Sequence, residues 1–387
     1  MWTLSLLDFL QTDQATNVLR SLAVETINDK NHLRLAAHLR KKFATDETSV
    51  LLETVRLRQK AVSKFGSDAA KLFLTADALE QASHPLVVKH CRFTSYSEVI
   101  DLCCGIGTDS FGFARNGVQH VIGVDIDPIR VRMAQLNAQA LGLDIEFFVG
   151  DATEYYISTG TIFFDPARRD DGKRIYHVEQ YQPPLSTLKK WQASEVVVKL
   201  SPAVDMNELR DYNGKVVFVS VKGELKEALL HVGDAYSAST LAVVIHDEHV
   251  YRYERAELPK PRNTSVPLNY LLEPDPAVIR AGLVKDLAQW VSATQLDDQI
   301  AYLTSENDLL HPAIRAWRIR EWMPYNLKAL RTALRERNIG NVTVKKRGMA
   351  ITPEELTAQL KLKGSESCTL VLTRHDNQPI VIICDNI

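Results

Sequence analysis

Acid side chains recur at definite places along the middle of this 387-residue chain, each beside a glycine turn or a proline. Asp101 stands inside the apolar run Val99 to Leu102, ahead of a turn carrying Gly105 and Gly107, and Asp125 closes the next apolar run, Val121 to Val124. Gly150-Asp151 follows a third run and Asp165-Pro166 a fourth. Ionised carboxylates accept hydrogen bonds and attract cations, so such a series suits a ligand bearing hydroxyls, an ammonium group and an amine. The two glycines between the first acids would let the backbone approach that ligand closely.

These residues need a strand, a tight turn, a short helix and a second strand to position them. That is the first βαβ unit of a doubly wound sheet, in which ligands sit at the carboxyl ends of the strands. Two nucleotide-like cofactors use such a crevice. A dinucleotide fingerprint requires a third glycine three residues after the second, where this chain has Ser110,. A carboxylate at Asp101 would also repel a pyrophosphate. S-adenosylmethionine has no phosphate; it carries an ammonium and a sulfonium, and its ribose diol needs an acceptor at the end of the second strand. Asp101 and Asp125 fit those two tasks, with a turn-capping carboxylate as the plainer reading of Asp101.

The wider pattern supplies the sheet. Apolar runs at Val99 to Leu102, Val121 to Val124, Ile145 to Val149, Ile162 to Phe164, Val196 to Leu200, Val216 to Val221 and Leu241 to Ile245 alternate with helical stretches,. Seven runs predict a seven-stranded, mostly parallel sheet. Residues 1–75 show apolar side chains at helical spacing, among them Leu33, Ala36, Ala37, Leu51, Leu52 and Val55, and predict a helical amino-terminal domain,. The catalytic domain is expected over 76–253, a proline-containing linker over 254–267, and a second α/β domain over 268–387.

The order Asp101, Gly105, Gly107, Asp125, Gly150-Asp151, Asp165-Pro166 resembles the class I S-adenosylmethionine-dependent methyltransferases, across roughly residues 75–250. The fold implied is a Rossmann-like α/β sheet. By this resemblance Asp101 meets the methionine part, Gly105 and Gly107 admit the backbone to the cofactor, Asp125 binds the ribose, and Asp151 lies by the adenine amine. Their neighbours Cys103, Ile126 and Ala152 complete the candidate cofactor-binding set. Asp109 stands where a third glycine is common. The carboxyl-terminal region resembles a THUMP-like domain, matched by Tyr302-Leu303-Thr304, Lys345-Lys346-Arg347-Gly348, Leu360-Lys361-Leu362-Lys363-Gly364 and Leu372-Thr373-Arg374. THUMP domains are RNA-binding modules, usually placed ahead of the catalytic domain.

The methyl acceptor is addressed by Phe163-Phe164-Asp165-Pro166-Ala167-Arg168-Arg169. At this place, methyltransferases acting on exocyclic amines of nucleobases carry an Asp/Asn-Pro-Pro-aromatic motif. An amine conjugated to a ring is a poor nucleophile, so its hydrogens should be accepted by Asp165 and by a backbone carbonyl such as that of Pro166. Holding amine and methyl carbon in line contributes more than acid or base catalysis, since effective molarities reach ~10⁵ M and above. Ala167 and Arg168 replace the second proline and the aromatic ring. Arg168 could stack on a base or bind a phosphate, with Arg169 beside it, and Tyr176 or Tyr181 could supply the ring. Lys199 and Glu224, at the ends of the fifth and sixth runs, are further candidates for substrate contact.

Composition sets the remaining bounds. With 45% hydrophobic and 24% charged residues and a net charge of −2, the chain reads as an ordinary globular protein and not as a globally basic nucleic-acid binder,. Its five cysteines have no CxxC spacing, which suggests neither zinc nor a disulfide framework, and no metal is expected,. The segment MWTLSLLDFLQTD lacks a basic region before its apolar residues, and no apolar run approaches a membrane span, so a cytoplasmic location is expected,. Between His311 and Ala350, however, ten Lys or Arg face only Glu321 and Glu336, with Trp317, Trp322 and Tyr325 interleaved. That density favours RNA contact, and Lys345, Lys346 and Arg347 are its sharpest element. The sequence thus predicts an S-adenosylmethionine-dependent methyltransferase acting on an exocyclic base amine in structured RNA, tRNA or rRNA. Its alternatives are a small-molecule or protein methyltransferase, and a non-catalytic RNA-binding protein with this fold.

Overall fold

The computed structural model describes residues 2–91, 97–155, 160–170, 173–257 and 264–385. Part of the expected linker, residues 258–263, lies outside them. The chain divides into a first unit of Met1–Val216 with Lys226–Ser239, and a second of Val217–Leu225 with Thr240–Ile387.

The first unit begins with four helices: α1 (Leu4–Leu10), α2 (Asp13–Leu22), α3 (Asp29–Leu39) and α4 (Thr45–Phe65). Polar side chains at their starts take up amides that would otherwise be orphaned. Thr3, Thr12 and Asn28 accept from residues two or three ahead, and Glu47 reaches back to the Ala44 amide at 2.8 Å,. The spacing of Leu51, Leu52 and Val55 along α4 puts them on a buried face. They share a core with Leu7, Leu10, Met133 and Leu136. Two short helices, α5 (Ala76–Gln81) and α6 (Pro85–Cys91), lead to the sheet.

There β1 (Glu98–Leu102), α7 (Thr108–Arg115), β2 (His120–Asp125), α8 (Pro128–Leu141), β3 (Glu146–Val149) and β4 (Thr161–Phe164) follow in turn. Then come a small hairpin, β5 (Arg169–Asp170) with β6 (Lys173–Arg174), and β7 (Glu195–Leu200). Strands β1, β2, β3, β4 and β7 pair in parallel. Burial is complete in β4 and β7, whose apolar runs are enclosed on both faces, whereas in β3 only Phe147 is buried,.

All seven apolar runs form strands. The last two are β8 (Lys215–Val221) and β10 (Ser239–His246), and two more strands, β9 (Glu224–Gly233) and β11 (His249–Glu254), were not separated by the sequence reading. Within the first unit β9 pairs antiparallel with β7. Charges at Glu224, Lys226 and Glu227 disguise its apolar stretch Ala228–Leu230.

The second unit carries β12 (Tyr270–Pro274), α9 (Pro276–Arg280), α10 (Val284–Trp290), β13 (Thr294–Asp297), β14 (Ile300–Ser305), β15 (Ile314–Pro324), α11 (Leu327–Glu336), β16 (Ile339–Lys346), α12 (Pro353–Leu360), β17 (Glu366–His375) and β18 (Gln378–Cys384). Strands β12 to β18 form one sheet in the order β13-β14-β12-β15-β18-β17-β16. Asp376 and Asn377, both at positive φ, make the tight turn from β17 to β18,. Among the described residues no helix is long and apolar enough to cross a membrane, and no group of three or more His, Cys, Asp or Glu could hold a metal.

Candidate active site

The turn after β1 is held open by backbone geometry. Cys103, Gly105 and Gly107 have φ of 62°, 58° and 86°. A Cβ on Gly107 would lie 2.8 Å from the Phe111 ring and 2.9 Å from that of Phe147, so glycine is needed there for space as well as conformation,. The Cys104 amide donates to the Val124 carbonyl at 3.0 Å, and the Gly105 amide to Asp125 Oδ2 at 2.8 Å. These bonds tie the turn to the end of β2.

Asp101 is buried at the end of β1, and Ser110 Oγ donates to its Oδ2 at 2.5 Å. The residue that breaks a dinucleotide fingerprint therefore has work of its own, holding this carboxylate. Oδ1 is buried with no hydrogen-bond partner among the described residues. Burial, reinforced by the Asp109 carboxylate, raises the Asp101 pKa well above the usual range,. A cationic donor at Oδ1 would relieve both conditions.

Asp125 is also buried, and burial raises its pKa. Its two oxygens take the amides of Gly105 and Asp127, and each retains a second lone pair for a ligand hydroxyl,. Ile126 beside it is 68% exposed, a large apolar side chain left in solvent at the strand end. Asp151, half-buried after β3, accepts from the Thr153 amide and hydroxyl, both at 2.8 Å, and these bonds lower its pKa. Ala152 is buried next to it.

Asp165 follows β4, with its amide donating to the Leu102 carbonyl at 3.1 Å. Lys199 Nζ donates to Asp165 Oδ2 at 2.6 Å and lies 3.6 Å from Asp109 Oδ2. The sequence reading put Lys199 at the substrate. In the structure its side chain is only 4% exposed and is engaged by those carboxylates, because a lysine in the interior of a sheet must be compensated,. Glu224, the other such candidate, is exposed at the start of β9, after the Lys222-Gly223 turn; the buried carboxylate on that strand is Glu227.

Pro166 is buried and Arg168 half-buried, while the side chain of Arg169 lies outside the described residues. Tyr181 is buried and so unsuited to stack on a base, whereas Tyr176 is 62% exposed. Asp109, Ser83, Lys64 and Glu227 were missed as site residues. Ser83 Oγ donates to Asp109 at 3.0 Å. Lys64 donates to the Leu79 carbonyl at 2.9 Å, and burial together with the Lys199 charge lowers its pKa to about 8. An acid in place of the third glycine, and a lysine inside the apolar run Val196 to Leu200, were the available signals.

In the second unit the expected basic patch is partly consumed. Lys345 and Arg347 both bind Glu273, with their charges 4.6 Å and 5.0 Å from the ring centroids of Trp317 and Tyr302. Arg320 pairs with Asp385 and Arg337 with Glu321. Trp317, 2% exposed, is core and not a stacking surface, and Trp322 and Tyr325 are half-buried against core clusters. Lys346 stays exposed.

Comparison with known proteins accords with this arrangement. Residues 99–164 match the methyltransferase domain family, and residues 314–386 a family described as THUMP domain-like. The chain is 33% identical, over 348 residues, to an S-adenosylmethionine-dependent methyltransferase of Mycobacterium tuberculosis; the match covers 87% of this chain and 95% of that protein. A shorter match, 34% identical over 96 residues, covers 24% of this chain and 23% of a Pyrococcus abyssi protein named as a 23S rRNA (uracil-C5)-methyltransferase. The crystal structure of a Porphyromonas gingivalis protein described as a methyltransferase superposes with a TM-score of 0.74 at 19% identity, covering 94% of this chain and all of that one, which shows a shared fold. The chain is thus a member of the S-adenosylmethionine-dependent methyltransferases.

Proposed function

We propose that this protein methylates an exocyclic amine of a base in structured RNA, with Asp165 as the acceptor of an amine hydrogen. The observation that carries this reading is the partial exposure of Asp165. A quarter of its side chain reaches solvent at the end of β4, while its partner Lys199 is buried. An acceptor must be reachable by the substrate, and Asp165 with the adjoining Pro166 carbonyl fits the hydrogens of a planar amine.

When bound, the cofactor supplies an electrophilic methyl group. This chain's residues do the rest. Asp101 would hold the cofactor's ammonium with its unpartnered Oδ1, and Asp125 would take ribose hydroxyls. Ile126 would cover the adenine ring, and Asp151, through the oxygen Thr153 leaves free, would accept from the adenine amine. Cys103 and Ala152 would line the same crevice. Gly105 fits the backbone to the ligand, since a Cβ there would meet nothing within 4 Å on the protein side. Asp165 would draw on the amine N–H and turn its lone pair toward the methyl carbon, which is chiefly a positioning effect. Arg168 would stack on the base or hold its phosphate, with Tyr176 the ring within reach of a base.

RNA as the carrier of that amine is supported by the THUMP-like match and by the name of the Pyrococcus abyssi relative. Arg318, Lys328, Arg335 and Lys346 are exposed cations in the second unit, available for phosphates,. Lys345 and Arg347 would add to their field despite Glu273. The test is mass spectrometry of nucleosides from cellular tRNA and rRNA with and without the gene. A base carrying an N-methyl group should disappear; unchanged nucleosides would defeat the RNA reading and leave a small-molecule or protein acceptor.

A further inference from the structure

The role of Lys199 can be taken further, resting on the reading of Asp165 as the amine's acceptor. Lys199 bridges two carboxylates: Asp165 Oδ2 at 2.6 Å and Asp109 Oδ2 at 3.6 Å. Asp109 Oδ2 also accepts from Ser83 Oγ at 3.0 Å, so the far end of the bridge is anchored in the segment between α5 and α6. Burial opposes the charge on Lys199, yet Asp165, Asp109 and Glu227 together outweigh it and raise the lysine pKa. The group is an ammonium, a donor with no acceptor capacity.

We propose that Lys199 is a positioning residue that pins one oxygen of Asp165, leaving the other as the acceptor presented to the substrate amine. A carboxylate with both oxygens free can rotate and be solvated in many ways. One clamped by a buried ammonium has one acceptor at one angle. Ser83 and Asp109 hold Lys199 from behind, and Asp165 alone of the three charged groups is open to substrate.

The clamp makes a prediction about polarity that a merely structural lysine does not. Asp165→Asn replaces one acceptor oxygen with an NH₂ donor. With Lys199 in place the amide oxygen must face the ammonium, so NH₂ faces the substrate amine, donor against donor. Asp165→Asn should therefore lose on the order of 100-fold in kcat, with KM for the cofactor within about twofold of the original. Adding Lys199→Met preserves the local charge balance and frees the amide to turn. Asp165→Asn with Lys199→Met should then be faster than Asp165→Asn alone by roughly 10-fold or more.

The experiment measures methyl transfer into RNA from S-adenosylmethionine by the original protein, the two single variants and the double variant, with digestion to locate the methyl group. A double variant no faster than Asp165→Asn, on an enzyme that does methylate a base amine, overturns the clamp alone. Methyl groups on ribose oxygen or base carbon overturn the amine reading whatever the cycle gives. The same four proteins also give a melting-temperature cycle that needs no acceptor. The clamp requires the two substitutions to be non-additive there, and additive shifts would overturn it even if no RNA were methylated.

Discussion

The two charged regions of this molecule differ in what their charges have left to offer. In the first unit, Asp101, Asp109, Asp165 and Lys199 are largely withdrawn from water, yet Asp101 Oδ1 has no partner among the described residues and Asp165 keeps an exposed side. In the second, the density of Lys and Arg between His311 and Ala350 suggests a free polycation, yet Glu273, Glu321 and Asp385 engage four of them. Valency left unspent makes a binding site. Residue type shows what a charge can do, and partners decide whether it is still available.

That contrast breaks most readily at Asp101. Asp101→Ala should weaken S-adenosylmethionine binding by about 2 kcal/mol or more, roughly 30-fold in Kd, in calorimetry. Unchanged affinity would mean that the unpartnered oxygen is not where the ammonium docks. Gly107→Ala places a side chain at φ 86° against Phe111 and Phe147, and should cost about 1–3 kcal/mol in urea unfolding, with cofactor affinity falling too,.

A smaller effect separates neighbours in the basic run. Lys345→Ala should cost about 1 kcal/mol of stability through its contacts with Glu273 and Trp317,. Lys346→Ala should leave stability within about 0.5 kcal/mol, but reduce the salt dependence of RNA binding by about one counterion. Equal stability losses would erase the distinction between spent and free cations.

The smallest expected effect concerns pH. Lys64 has its pKa lowered to about 8 in the folded chain from an ordinary 10.5. Between those values the unfolded chain binds more protons, so stability rises as pH rises through the window and the cost of burying the charge is relieved. Lys64→Met should flatten that rise in urea midpoints measured at pH 7 and pH 9.5.

Much of the first unit was legible because its apolar runs are short, separated and interrupted by acids at strand ends. The acids at 101, 125, 151 and 165 fall at the carboxyl ends of four parallel strands, and period and position alone placed them there. Strand β9 was not legible, since Glu224, Lys226 and Glu227 hide its apolar stretch. The Lys199 bridge was hidden for another reason: its partners are Asp109, in the first turn of α7, and Asp165, just after β4, and only the folded sheet brings them together. Trp317 was misjudged in the same way. An aromatic among arginines looks like a stacking surface, but its alternate place on β15 turns it into the core with Leu271, Tyr302 and Val371.

Reconstitution decides whether a base amine of RNA is the methyl acceptor. Purified protein is incubated with methyl-labelled S-adenosylmethionine and RNA from cells lacking the gene, and the RNA is digested to nucleosides. Label should appear on an exocyclic nitrogen of one base and be lost with Asp165→Asn. Label on ribose or on a base carbon, or no label in RNA at all, would contradict it.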